Sequence, residues 1–311
     1  MSKEIEVPQS CSLVKDGRLT LVVKNAFKET LLRQGISQPH TLIAAHHTTD
    51  TQYTGRGLLP AILIQETNGK RMVAKQCLRG GLLRFINKDI FWGGKRPFRE
   101  MIANAHIRTM GIKTTELLAA AHYKVFGPFY RTYLFSLEIP ECIDLTTFFN
   151  GLAQKPPRQR FEENAFLFEA VAQAFVTMHR GGIYHRDLHL KNILIQKDRG
   201  DGTPKIFIID FDKAACKDTL TPKEKLKNLL RFNRSIEKYK LQGGGITRGD
   251  QCRLFKEYFR YNADVYELFN KKIKIHGFFL RLRRAKWMMG SFMAQRIKGP
   301  ASSGATPHQS T

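Results

Sequence analysis

Residues 42–79 read as β structure. Two apolar segments, Leu58 to Gln65 and Arg71 to Leu78, flank Asn68-Gly69, a dipeptide that favours the type I′ hairpin turn because both residues tolerate positive φ. Upstream, a β-prone approach through Thr51 to Thr54 ends at Gly55-Arg56-Gly57. The pattern predicts strand, glycine turn, strand, hairpin, strand. Pro97 then opens a helix marked on one face by Met101, Ile102, Ala105 and, less regularly, Ile107, ending near Gly111. Leu134 to Ile139 reads as a further strand.

The second half is more helical. From Phe161 to Arg180 the residues Phe168, Val171, Ala172, Phe175 and Met178 recur at three-and-four spacing, and Gly181-Gly182 stops the helix. Two short buried strands follow, Asn192 to Gln196 and Lys205 to Phe211, the latter too continuously apolar to be half exposed. Residues 222–240 and 250–289 read as helices rich in Lys and Arg, and Gly299 to Thr311 as a disordered tail rich in Gly, Ser, Thr and Pro. A β-rich first part and a helical second part, without regular βαβ alternation, predict two α+β lobes. We expect them over 1–140 and 141–298, with 299–311 as the tail.

Composition narrows the class. Hydrophobic residues at 42% and charged residues at 25% of 311 exclude a mostly disordered or fibrous chain. Fifty-one Lys and Arg against 27 Asp and Glu leave a net charge of +24, which points to an anionic partner: nucleic acid, nucleotide or an acidic membrane. Cys11, Cys77, Cys142, Cys216 and Cys252 are odd in number and scattered, which suits free thiols in a reducing compartment and offers no metal or disulfide spacing. His46-His47, His106, His122 and His179 likewise lack metal-ligand spacing. The first residues carry early acids and no apolar core of a signal peptide. No run approaches the roughly 18 apolar residues of a membrane span. The expectation is a cytoplasmic protein.

The chemistry concentrates in His185-Arg186-Asp187-Leu188-His189-Leu190-Lys191-Asn192, followed by Ile206-Phe207-Ile208-Ile209-Asp210-Phe211-Asp212. This matches H-R-D-x-x-x-x-N and then an apolar strand ending in D-F-x, the catalytic and metal-binding loops of the protein-kinase-like superfamily. Asp187 would accept the proton of an attacking hydroxyl, Asn192 would offer an amide oxygen to Mg²⁺, and Asp210 a carboxylate oxygen. In the first half, Lys75 in Val73-Ala74-Lys75 sits where this superfamily holds the α/β-phosphates of ATP, and Glu100 is the natural carboxylate to pair with it. Gly55 and Gly57 would let backbone N–H groups approach phosphate; a bare turn explains them equally well. The predicted fold is bilobal and protein-kinase-like, with a β-rich N-lobe and a mainly helical C-lobe. Asp212 replaces the glycine of D-F-G and no A-P-E follows, so a small-molecule or lipid acceptor fits better than a protein.

Several further segments carry a family resemblance: Arg79-Gly80-Gly81-Leu82, Arg96-Pro97-Phe98-Arg99-Glu100, Ile209-Asp210-Phe211-Asp212-Lys213 and Asn228-Leu229-Leu230-Arg231-Phe232-Asn233-Arg234-Ser235. Over roughly residues 50–240 the chain resembles the lipopolysaccharide inner-core kinases, most closely the 3-deoxy-D-manno-octulosonic acid (Kdo) kinases. The resemblance implies transfer of the ATP γ-phosphate to a sugar hydroxyl of the lipid A–core precursor at the cytoplasmic face of the inner membrane. It implies Asp187 as base, Asn192 and Asp210 as Mg²⁺ ligands, and Lys75 with Glu100 positioning ATP. Kdo kinases carry H-A-D-L-N-A-H-N in the catalytic loop, so Arg186, His189 and Lys191 depart from them, and Arg186 is more like the related heptose kinases. A heptose kinase is the alternative within the class. A non-catalytic kinase-like or nucleic-acid-binding protein is the alternative outside it.

Residues 271–298 hold nine Lys and Arg and no acid, interleaved with Phe278, Phe279, Leu280, Leu282, Trp287, Met288, Met289 and Phe292. Two readings stand side by side: a basic amphipathic helix on an anionic membrane surface, or a final helix packed on the large lobe with a solvated basic face. Basic and aromatic residues also interleave in nucleic-acid binders. Phe255, Tyr258, Phe259 and Tyr261 recur at helical spacing and mark core, which makes nucleic acid the weaker partner.

Overall fold

The computed structural model describes residues 5–46, 52–54, 58–78, 89–196 and 204–272, together with Gly277 and Arg284. In chain order the first part contains β1 (Cys11–Asp16), β2 (Leu19–Lys24), α1 (Lys28–Arg33), α2 (Pro39–Ala45), β3 (Gln52–Thr54), β4 (Leu58–Leu63), β5 (Arg71–Gln76), β6 (Ile90–Trp92), α3 (Arg96–Thr109), β7 (Leu117–Phe126) and β8 (Phe129–Leu137). The strands form one antiparallel sheet in the order β1-β2-β7-β8-β5-β4-β3, with β6 also on β8. The second part contains β9 (Cys142–Asp144), α4 (Leu145–Leu152), α5 (Pro157–Arg180), β10 (Ile183–Tyr184), β11 (Ile193–Gln196), β12 (Lys205–Ile208), β13 (Ala215–Cys216), α6 (Pro222–Leu241) and α7 (Arg248–Arg260). This is the bilobal kinase-like α+β architecture that the motifs imply.

The turn between β4 and β5 follows from its residues. Lys70 N–H donates to the Thr67 carbonyl at 3.1 Å, with Asn68 at φ 47° and Gly69 at φ 78°, the left-handed pair of a type I′ turn. The hairpin loop is longer than that turn, because Ile64 N–H closes on the Lys70 carbonyl at 2.8 Å. Period-two alternation along β5 then sorts its side chains. Met72 and Ala74 enter the core that the sheet shares with α1 and α2, beside Leu21, Leu31, Ile62 and Phe135. Cys77 enters the core on the other face, with Phe98, Met101 and Leu134 under α3. Lys75, in step with Cys77, therefore faces α3.

Three expectations need correction. Residues 42–45, expected as β structure, belong to helix α2: Pro39 opens it, and the adjacent Leu42 and Ile43 are both buried. The inward face of α3 is Pro97, Phe98, Met101, Asn104 and Ile107. Asn104 takes the place expected of an apolar residue because it donates to the Thr115 carbonyl (2.9 Å) and accepts from Leu117 N–H (3.2 Å), securing the start of β7. The long C-terminal helix breaks at 261–262 and resumes at 263. There the Tyr258 carbonyl accepts Tyr261 N–H at 3.3 Å in a tightened last turn, and the Asn262 side-chain amide donates to it as well at 3.2 Å. The pattern also does not announce β1, β2 or β7. In β7 the run Leu117 to Ala121 is wholly buried, and sheet packing overrides the helical preference of three alanines.

The second part is held by one core that runs beneath the catalytic loop. Phe168, Val171 and Phe175 of α5 meet Leu229 and Phe232 of α6, and Leu188, Ile193 and Ile208 close the top. A Cβ on Gly182, at φ 69°, would stand 1.7 Å from the Lys217 carbonyl oxygen, so only glycine lets the chain turn from α5 into β10 there. The expected tail, 299–311, lies outside the described residues, as does most of the basic segment. Within that segment Arg284 is paired with the buried Glu237 of α6.

Candidate active site

The catalytic loop runs from β10 to β11 and is fixed by His185. His185 is buried, donates through Nε2 to the Ile209 carbonyl (3.0 Å) and accepts Asp187 N–H on Nδ1 (3.1 Å). One neutral imidazole thus ties the loop that carries Asp187 to the strand end that carries Asp210. Burial pushes its pKa down, with the Ile209 carbonyl opposing, which keeps the neutral tautomer these bonds need. Its ring also lies 4.8 Å from that of Phe211.

Behind His185 runs a buried polar chain. Tyr258 Oη and His179 Nδ1 are 2.6 Å apart, and His179 Nε2 donates to the Asn228 amide oxygen at 3.0 Å. Asn228 in turn donates to the His185 carbonyl (2.8 Å) and accepts His185 N–H (3.1 Å). α6 makes a second tie through Ser235 Oγ, which accepts Leu190 N–H at 3.2 Å. Helix α6 bonds the loop's backbone directly, and α5 and α7 act on it through Asn228.

Asn192 is buried, and its amide nitrogen donates to the Asp187 carbonyl at 2.9 Å. Its amide oxygen takes no hydrogen bond from a described residue and is left as an acceptor. Asp210 adopts φ 66°, a left-handed conformation that Asp tolerates better than most residues. Its Oδ1 lies 3.5 Å from Lys75 Nζ. Glu100, on the inward side of α3, is not within ion-pair distance of Lys75, but their charges are coupled. Burial pushes the Glu100 carboxyl up to about 7, with Lys75 opposing and Asp210 reinforcing. Lys75 is held above its ordinary value: burial opposes the charge, and Asp210 and then Glu100 outweigh it. Gly55 and Gly57, expected to approach phosphate, lie outside the described residues.

The family model for the lipopolysaccharide kinase (Kdo/WaaP) family matches residues 60–258. The chain belongs to this family. Its members are phosphotransferases with a sugar hydroxyl as acceptor, and this kinase is an enzyme of that class. It is 30% identical over 189 residues to a 3-deoxy-D-manno-octulosonic acid kinase of Vibrio cholerae, covering 60% of this chain and 72% of the relative. It is 32% identical over 168 residues to the same kinase of Vibrio vulnificus, covering 53% and 64%. With the lipopolysaccharide core heptose(I) kinase WaaP of Pseudomonas aeruginosa it shares 24% over 210 residues, covering 63% and 76%. The solved structure of WaaP in complex with acyl carrier protein superposes with a TM-score of 0.55 at 21% identity, over 86% of this chain and 98% of that one. That likeness bears on the fold alone.

The kinase's site also holds residues to which sequence reasoning assigned no role. Lys213 and Arg231 both approach the Asp187 carboxylate, at 3.7 and 3.6 Å. Arg96 pairs with Asp212. All four stand in segments that carried the family resemblance. That was the available signal, but a resemblance does not say what a side chain touches.

Proposed function

We propose that this kinase transfers the γ-phosphate of ATP to a hydroxyl of Kdo in the lipid A–inner core precursor. The observation that carries the mechanism is the convergence of Asp187, Asn192, Asp210 and Lys75 through the His185 bonds and the Lys75–Asp210 pair. Asp187 takes the proton of the acceptor hydroxyl as general base. Lys75 moves from Asp210 to the ATP phosphates, and Glu100 offsets its charge from α3. The donors fit Mg²⁺: an amide oxygen of Asn192 and a carboxylate of Asp210 are hard ligands, and two protein ligands leave room for the waters and phosphates this ion prefers. When bound, Mg²⁺ would neutralise phosphate charge. Kdo is favoured over heptose because the Kdo kinases match at 30% and 32% identity and the heptose kinase at 24%.

The acceptor is a lipid, so the enzyme works as a peripheral protein on the cytoplasmic face of the inner membrane. A net charge of +24 suits an anionic leaflet. Among the described residues no helix is long and apolar enough to cross a membrane.

The test is phosphorylation of a lipid A precursor bearing both Kdo and heptose by the purified kinase with ATP and Mg²⁺, followed by mass spectrometry of the product. One added phosphate on Kdo is expected; phosphate on heptose alone would overturn the acceptor assignment. Asp187→Asn should lower the rate about 10²–10⁴-fold with a native-like melting curve.

A further inference from the structure

Asp187 carries one cation on each carboxylate oxygen. Lys213 Nζ lies 3.7 Å from Oδ2, and Arg231 Nη1 lies 3.6 Å from Oδ1. Both separations exceed hydrogen-bonding range, so neither cation is committed to the base. Both are open to solvent, at 53% and 40% exposure. Among the described residues neither has another acidic partner.

The two cations reach Asp187 from different sides. Lys213 belongs to the loop that begins at Asp210, the residue proposed above to hold Mg²⁺. Arg231 projects from α6, the helix fastened to the catalytic loop through Asn228 and Ser235. A base that takes the acceptor's proton must touch the acceptor hydroxyl. A guanidinium 3.6 Å from the same carboxylate is within reach of a substituent on the same sugar.

An acidic sugar meets a problem in this cleft. Its carboxylate must come close to the carboxylate of Asp187 and to a triphosphate, and like charges repel at such short range. A cation on the acceptor side removes that penalty. Arginine suits the task because its planar fork binds a carboxylate through two parallel N–H···O bonds, which a lysine cannot do.

We propose that Arg231 forms a subsite for the carboxylate of an acidic sugar acceptor and thereby selects it over neutral sugars. This rests on the assignment of Kdo as acceptor. The experiment compares wild type, Arg231→Gln and Arg231→Lys on two acceptors: the Kdo-bearing lipid A precursor, and the same precursor with the Kdo carboxyl reduced to an alcohol. Wild type should favour the acid by roughly 10- to 100-fold in kcat/KM, the worth of a charged hydrogen-bonded contact, mainly through the acceptor KM. Arg231→Gln should lose that preference, falling steeply on the acid and little further on the alcohol, with the KM for ATP held. Arg231→Lys should recover part of it, and carries the comparison if Arg231→Gln does not fold.

Equal losses on both acceptors would overturn the subsite and assign Arg231 to the phosphoryl group or the base. Equal wild-type rates on acid and alcohol would overturn it while leaving the Kdo assignment intact. Phosphorylation of heptose alone would overturn that assignment and the subsite with it.

Discussion

The Arg96 guanidinium at the start of α3 donates to Asp212 Oδ2, joining the helix that carries Glu100 to the loop that carries Asp210. Asp212 stands where protein kinases keep the glycine of D-F-G, and its side chain is 8% exposed. The substitution therefore adds a link between the lobes rather than removing a hinge. Arg96 is braced a second time over the Phe91 ring, 5.3 Å from its centroid.

Restoring the kinase glycine should harm this enzyme. Asp212→Gly cuts the link and frees the backbone beside Asp210, so turnover should fall about tenfold, the equivalent of about 1.4 kcal/mol, with a higher KM for ATP. Arg96 can rehydrate, which keeps the loss of stability modest. Steady-state kinetics beside a melting curve decide it. Unchanged turnover would mean that other contacts hold the loop.

Glu100 should make the free enzyme less stable as pH rises. Its folded-state carboxyl is raised to about 7 by burial, so the folded chain binds a proton that the unfolded chain releases above about 4.3. The penalty is absent below that pH, grows towards 7 and is complete above it. Glu100→Gln should be more stable than wild type at pH 8 by at most about 3 kcal/mol, and the gap should close by pH 4. Thermal melts across that range without ATP test this. A constant gap would place the effect in packing instead.

His179 should make the kinase acid-sensitive. Burial lowers its pKa to about 3, and it is held between Tyr258 and Asn228 in the neutral form. Below about 6.5 the unfolded chain takes up a proton that the folded chain refuses, so stability is lost as pH falls through that value. Near pH 5 the loss from this residue is about 2 kcal/mol. His179→Gln should have lower stability at pH 7 but a flatter dependence between pH 7 and 5. A slope equal to that of wild type would exclude His179 as the cause.

The pair between Arg284 and Glu237 makes the basic segment part of the fold at that point. Glu237 is 6% exposed. Burial raises its pKa, but bonds from Arg284 and Gln251 outweigh this, so the net direction is down. Its contribution is present above the unfolded carboxyl pKa and is lost as pH falls. Arg284→Ala should lower stability at pH 7 by about 2 kcal/mol, less than for a fully buried pair because the arginine is half exposed. The difference should shrink towards pH 3. An unchanged melting temperature at pH 7 would show that Gln251 and Lys240 satisfy Glu237 unaided.

Sequence alone determined the kind of chemistry here. His185, Asp187, Asn192 and Asp210 lie within one short stretch, so their spacing along the chain and one strand-to-loop change suffice to bring them together. The Asn68-Gly69 turn and the stop at Gly182 were legible for the same reason: each depends on local φ preference. Tertiary structure decided what depends on packing between distant segments. Period-two alternation places Lys75 on the α3 face, but only the set of the lobes puts Asp210 nearer to it than Glu100. The strand β7 stays hidden because its alanine-rich run becomes strand only when a sheet buries both of its faces. Lys213 and Arg231 look like solvated charges along the chain. They meet Asp187 because Asn228 and Ser235 pin α6 to the catalytic loop, and nothing local encodes that contact.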